Sequence, residues 1–190
     1  RLRFQTDSIR LGLAFLPLTT PPVNAAHAID LTIDGTLIAS RAVAQNDSEV
    51  LFEALPNGSK VVEVWLPQDS SIRLVSLSTD DDAVLSVASD ERPKWVTYGS
   101  SLTHCRRAHS PARTWPAVVA RREGWNLTSL GYGGNCCLEP LVGMMIRDLP
   151  ADLISLKLGI NAISGALSRR TFAAAVMGLT AFFQPLGWPA

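Results

Sequence analysis

The chain has 190 residues, 47% hydrophobic and 18% charged, with 17 basic side chains balanced by 17 acidic ones. That composition excludes a disordered chain and supplies apolar material for the cores of one or two domains. The cancelled charge lacks the electrostatic footprint that nucleic acid or an anionic membrane surface needs, and no apolar run approaches the roughly 20 residues of a membrane span, so neither partner is expected.

Up to about Thr79 the hydrophobic pattern alternates. AIDLTIDGTLIAS sets Ile29, Leu31 and Ile33 on one side and Asp30, Thr32 and Asp34 on the other, then turns at Asp34-Gly35, a strong hairpin signal. KVVEVWLP and SIRLVSLS repeat the short-strand pattern, with turns at Pro56-Asn57-Gly58 and Pro67-Gln68-Asp69. Many short strands in so little chain predict an all-β unit, a β-sandwich of jelly-roll type, since an open sheet would leave its edges exposed. The acidic run Asp80-Asp81-Asp82 and SDERP read as its exit, which gives a first domain over 1–90 and a second over 91–190.

After Pro93 the rhythm becomes strand, loop, helix. KWVTYG, NLTSLG and DLISLKLG read as strands. SPARTWPAVVARREGW reads as a helix with Trp115, Val118, Val119 and Arg122 at helical spacing, ended by Gly124. LEPLVGMMIRDLP carries Leu138, Leu141, Val142, Met145, Ile146 and Leu149 on one stripe, and SRRTFAAAVMGLTAFF starts at Ser168 as a helix cap. The alternation predicts an α/β domain with a parallel sheet.

Ligands of open parallel sheets gather beyond the carboxyl ends of the strands. There the sequence places Gly99-Ser100-Ser101-Leu102-Thr103, then Gly131-Tyr132-Gly133-Gly134-Asn135, then Gly159-Ile160-Asn161. A hydroxyl, a glycine-rich turn with backbone N–H groups and a side-chain amide are the inventory of an acyl-transfer site. By itself Ser101 reads equally as a helix cap, the glycines as a phosphate-cradling turn, and Asn161 as a turn residue.

YGSSLT resembles the first block of the SGNH or GDSL hydrolase superfamily, with Ser100 in place of the aspartate and Ser101 at the nucleophile position. LGYGGN is similar to the second block, with Gly134 as its glycine, and LGIN to the third, with Asn161 as its asparagine. The resemblance implies a flavodoxin-like α/β/α hydrolase domain, present in part, behind an accessory β-sandwich. It further implies an esterase or acyltransferase in which Ser101 attacks the acyl carbon. The amides of Ser101 and Gly134 and the side chain of Asn161 would hold the oxyanion. No metal or cofactor is implied, and the substrate would be a small-molecule acyl ester or an acylated carbohydrate. Ala162 stands where the third block has aspartate, and the family's Asp-x-x-His block has no match in the sequence. The expectation is that acid and base are encoded downstream; a non-catalytic carbohydrate-binding relative is the reading from another class.

The three histidines offer no ready substitute for that base. His104 lies on the same helix start as Ser101, with its ring expected along the helix, His109 falls in the following loop, and His27 reads as a loop residue of the β-unit. Cys105, Cys136 and Cys137 match no zinc spacing and read as core filler from a reducing, cytoplasmic compartment. Trp65 is a sugar platform only if it faces outward.

Overall fold

The computed structural model describes residues 1–162 and 167–186. The chain divides into two units: the first combines Arg1–Glu91 with Arg106–Arg121, and the second combines Arg92–Cys105 with the residues from Arg122 onward. A single boundary near residue 90 does not anticipate the return of residues 106–121 to the first unit.

In the first unit the strands are β1 (Leu2–Thr6), β2 (Leu11–Phe15), β3 (His27–Ile33), β4 (Thr36–Val43), β5 (Glu49–Phe52), β6 (Lys60–Trp65), β7 (Leu74–Thr79) and β8 (Leu85–Ser86). They form two antiparallel sheets, β4-β3-β6-β1-β8 and β5-β2-β7. One apolar cluster draws on both, with Phe4, Ile29, Leu31, Val62 and Val64 from the larger sheet and Leu11, Leu13, Phe15, Val50 and Phe52 from the smaller. Each such side chain contributes about 1.5–3 kcal/mol on leaving water. The β3–β4 turn is made by Asp34 (φ 48°) and Gly35 (φ 81°), the two left-handed residues a tight hairpin needs.

The alternation in β3 does not separate a core face from a wet face. Asp30 and Thr32 are as buried as Ile29 and Leu31. Residues Pro111–Arg113 lie against β3, where the Ala112 N–H donates to Asp30 Oδ2 at 2.8 Å. On the same face the Trp65 indole N–H donates to Thr32 Oγ1 at 3.2 Å and Arg3 pairs with Glu63 at 3.2 Å. Each of these buried polar side chains thus has at least one bonded partner. Trp65 is therefore a core residue, and the sugar-platform reading falls with its burial.

His27 opens β3 rather than sitting in a loop, and its ring is fully enclosed. Its Nδ1 lies 2.8 Å from Asp69 Oδ1 and its Nε2 2.8 Å from the Thr20 carbonyl oxygen. The other carboxylate oxygen of Asp69 accepts from the Val23 N–H at 3.3 Å. Replacing Asp69 with alanine strands the ring and one backbone N–H, at an expected cost of about 3 kcal/mol, checked by urea unfolding.

Asp80 does not behave as a solvated exit residue. Its Oδ2 accepts from Ser8 Oγ (2.8 Å), the Ile9 N–H (2.9 Å) and the Arg10 N–H (3.2 Å), closing the β1–β2 connection. The Ser8 hydroxyl above all, helped by the two backbone N–H groups, holds its carboxyl below the ordinary 3.8. A depressed carboxylate stabilises the fold above its unfolded value and loses that contribution as pH falls through the folded one. The melting-temperature difference between wild type and Asp80→Asn is thus expected to be constant near neutrality and to close below pH 3.8 in a pH series of thermal melts.

The second unit is built on a parallel sheet of β9 (Lys94–Gly99), β10 (Asn126–Gly131) and β11 (Leu153–Lys157), in the order β10-β9-β11. Its helices are α1 (Ser101–His104), α3 (Pro140–Asp148) and α4 (Arg169–Thr180), while α2 (Trp115–Glu123) leads back from the 106–121 segment. All three strands lie where the sequence places them, and Ser168 caps α4 reciprocally with Thr171. Val96, Tyr98, Cys136, Leu138, Ile146 and Leu179 form the core, with Phe172, Val176 and Phe183 against it.

The helix faces differ from the expected stripes. In α2 the small residues Ala117 and Ala120 are buried while Trp115 and Val118 are exposed. In α3 Gly143 and Ile146 are buried, whereas Leu141 and Met145 face outward. Leu138 precedes α3 with φ 66°, off the helical register that would line it up with Leu141 and Met145.

Candidate active site

Gly99 at the end of β9 pairs with Gly131 on one side and Lys157 on the other, so all three strands finish level. Three loops thereby start from one edge of the sheet.

After β9 the two serines divide their work. Ser100 is the N-cap of α1; it is buried, and its Oγ accepts from the Leu102 N–H at 3.4 Å. Ser101 is the first helical residue and is exposed. The capping reading of the sequence applies to Ser100, leaving the Ser101 hydroxyl displayed. The helix is a single turn, closed by Cys105 in the left-handed conformation (φ 53°) with its N–H bonded to the Ser101 carbonyl oxygen.

The second loop folds over this turn. The Tyr132 N–H donates to the Gly99 carbonyl oxygen at 2.7 Å, one step beyond the sheet. Gly131 lies against the backbone of His104, where any side chain would collide with His104 N and Cα. A Cβ at Gly133 would stand 3.1 Å from His104 Nδ1 and 3.9 Å from Ser101 Cβ, so the loop passes directly beside the serine. Gly134 follows with φ 79°, exposed, within a turn closed by the Asn135 N–H on the Tyr132 carbonyl oxygen.

The third loop reaches the second through Asn161, whose Oδ1 accepts from the Cys136 N–H at 3.3 Å. With its oxygen turned to that N–H, the carboxamide directs its NH2 end, the donor an oxyanion requires, away from Cys136. The structure thus brings Ser101 beside Gly133, the neighbour of Gly134, and ties Asn161 to the same loop. From the sequence Gly131 and Gly133 entered only as members of a glycine-rich turn, and the Cys136 N–H not at all. The two glycines carry a signal in being side-chain-free next to the turn that bears Ser101; a backbone N–H carries none.

The remaining candidates separate. The His104 ring packs at Gly133, whereas His109 and His27 belong to the first unit. Cys136 is buried and bonded to Tyr98, and burial pushes its thiol above the ordinary 9.0, so it stays protonated near neutrality. Burial likewise raises the Tyr98 phenol, which reaches Glu139 Oε2 at 3.4 Å and packs edge-on against Tyr132 at 5.6 Å. Cys105 directs its Sγ to the Leu102 carbonyl oxygen at 3.1 Å. Among the described residues no three His, Cys, Asp or Glu side chains gather as a metal site.

Parallel strands that end level, followed by a displayed serine, a glycine turn and an asparagine, are the arrangement of an SGNH-type α/β hydrolase. Residues 92–177 match the GDSL-like lipase/acylhydrolase family, and over that stretch the chain is similar to it. Among solved structures, the salicylyl-acyltransferase SsfX3 from a tetracycline biosynthetic pathway is 33% identical with a TM-score of 0.88, over 96% of this chain and 53% of that one. A GDSL-like lipase from Bacteroides ovatus is 20% identical with a TM-score of 0.80, over 97% of this chain and 57% of that one. A family two carbohydrate esterase from Clostridium thermocellum, solved with cellohexaose, is 13% identical with a TM-score of 0.72, over 96% and 66%. The latter two share the fold. The chain spans little more than half the length of the acyltransferase and the lipase. No curated protein matches the sequence.

The packing distinguishes two neighbouring glycines. Gly131→Ala drives a methyl group into the His104 backbone and is expected to lower the melting temperature well below that of Gly133→Ala, whose methyl meets only a movable ring edge at 3.1 Å. Calorimetry of both variants checks the contrast.

Proposed function

We propose that this chain carries the nucleophile and oxyanion-binding part of a serine esterase or acyltransferase. The observation that carries the reading is the meeting of the loops: Gly133 beside the exposed Ser101, and Asn161 bonded to the loop that contains Gly134. Ser101 Oγ attacks the acyl carbon, its proton passes to a general base, and the carbonyl oxygen becomes an oxyanion held by the N–H groups of Ser101 and Gly134 and the Asn161 carboxamide. Collapse expels the leaving group and leaves an acyl-serine, which water or an acceptor hydroxyl then cleaves. The base and its acid partner are the family's Asp-x-x-His block, supplied from outside these 190 residues. The two antiparallel sheets make a jelly-roll-like β-sandwich accessory domain, and the parallel sheet with its helices is part of a flavodoxin-like three-layer domain. The substrate is a small-molecule acyl ester or an acylated carbohydrate. Transfer to a hydroxyl acceptor is favoured over hydrolysis by one observation, the 33% identity to a salicylyl-acyltransferase.

In the complete polypeptide containing this chain, a fluorophosphonate probe is expected to label wild type and not Ser101→Ala; equal labelling of both ends the proposal. Asn161→Ala is expected to lower kcat by about 10²–10³, the loss typical of one oxyanion donor, with little change in melting temperature. Product analysis with and without an alcohol acceptor separates transfer from hydrolysis.

A further inference from the structure

We propose that Tyr98 and Cys136 are positioning residues for the reaction: their buried side chains meet and fix the backbone N–H that orients the Asn161 carboxamide. Tyr98 stands on β9, the middle strand of the parallel sheet, paired with Leu130 on one side and Leu156 on the other. Its ring packs edge-on against Tyr132 at 5.6 Å. Its hydroxyl meets the Cys136 thiol and the Leu138 N–H, and lies 3.4 Å from Glu139 Oε2. One side chain on the best-fixed strand thus touches the second loop at its start, its middle and its end.

That stretch of chain needs such a hub. Residues 136–139 belong to no helix or strand, so no ladder of backbone bonds sets their course. Leu138 is held at φ 66°, a left-handed conformation that a bulky side chain adopts only when its surroundings impose it. Cys136 and Leu138 both enter the core that Tyr98 also fills, and both bring a group to its hydroxyl.

From Cys136 the connection passes to the third loop. The Cys136 N–H donates to Asn161 Oδ1 at 3.3 Å, a long bond that orients the carboxamide only as well as the N–H is itself placed. An oxyanion donor acts only from close range and in the right direction, so a shift of that N–H is felt at the NH2 end of Asn161. Tyr98 and Cys136 are both fully buried and cannot touch substrate, which leaves them to act through Asn161. Burial also keeps phenol and thiol uncharged near neutrality, so the connection is one of shape and hydrogen bonding. The catalytic arm of the inference rests on the serine-enzyme reading; the hold of Tyr98 on the second loop does not.

The test uses the complete polypeptide containing this chain and the variant Tyr98→Phe, which keeps the ring and removes only the hydroxyl. Phosphonylation by a fluorophosphonate is expected to slow about tenfold, less than on removing Asn161 itself, and kcat with a p-nitrophenyl ester to fall equally at unchanged KM. Amide hydrogen exchange at residues 136–139 is expected to quicken while the melting temperature stays within a few degrees. Cys136→Ala is expected to repeat the loss, and Cys136→Ser, which keeps a hydrogen-bonding group, to restore most of it. In an Asn161→Ala background Tyr98→Phe is expected to change the phosphonylation rate by less than about twofold, because the residue it acts through is gone. An unchanged rate in Tyr98→Phe, or a tenfold loss that persists in the Asn161→Ala background, overturns the positioning role. Unchanged exchange overturns the hold on the second loop. If wild type labels no better than Ser101→Ala, the serine-enzyme reading and the positioning role that rests on it both fail, and the hold of Tyr98 on residues 136–139 is then judged by exchange alone.

Discussion

The site depends on the register of one strand. β9 is the middle of its sheet, and the pairing of Gly99 with Gly131 and Lys157 sets where all three following loops begin. A slip of one residue would turn every β9 side chain to the opposite face and take Gly99 away from Gly131. The Tyr132 N–H on the Gly99 carbonyl oxygen extends that ladder past the end of the sheet and pins the second loop to the first. The helix that carries Ser101 then folds back onto both strand ends: Thr103 fills the space a side chain on Gly99 would need, and His104 the space at Gly131. Both glycines are explained by this close approach, with no appeal to chemistry. What this packing leaves outward is Ser101.

Local pattern made the strands legible. β9, β10 and β11 are short apolar runs bounded by glycine or proline, and the β3–β4 hairpin announces itself in Asp34-Gly35, because turn chemistry and strand periodicity are properties of adjacent residues. Burial of the second face of β3 was not legible. It is decided by the contact of Asp30 with Ala112, 82 residues away, and alternation carries no information about what covers a face. The helix stripes failed for a related reason. In α2 the buried face is made of Pro116, Ala117 and Ala120 and in α3 Gly143 lies inward beside Ile146, so Trp115, Val118, Leu141 and Met145, which the stripes placed inside, are left outward.

The candidate site could be read from the sequence only to the depth of its side chains. Ser101, Gly134 and Asn161 could be singled out because a hydroxyl, a glycine turn and a carboxamide stood after three successive strands. What joins them acts through backbone and contact: the Cys136 N–H on Asn161, the closeness of Gly133 to Ser101, and the packing of His104. The two serines show the limit well. From sequence either hydroxyl could cap the helix; the structure gives the cap to Ser100 by placing it one residue earlier, in extended conformation, with its Oγ on the Leu102 N–H.

The order of the units along the chain constrains how such a protein can be divided. β9 and α1 lie on an excursion that leaves the first unit after Glu91 and returns to it at Arg106, and a third crossing follows after Arg121. Units joined by one linker can be separated by cutting it, with each keeping its own contacts. Here a cut near residue 90 would leave the β strands without Ala112 on Asp30 and without the carbonyl that Asn24 and Gln68 engage. Asp30 would then be a buried carboxylate whose hydrogen-bond donor had been removed, which is among the costlier defects a folded domain can carry. The β strands are thus completed by residues that follow α1, so the first unit is finished only after the chain has already built the strand end and turn that carry Ser101.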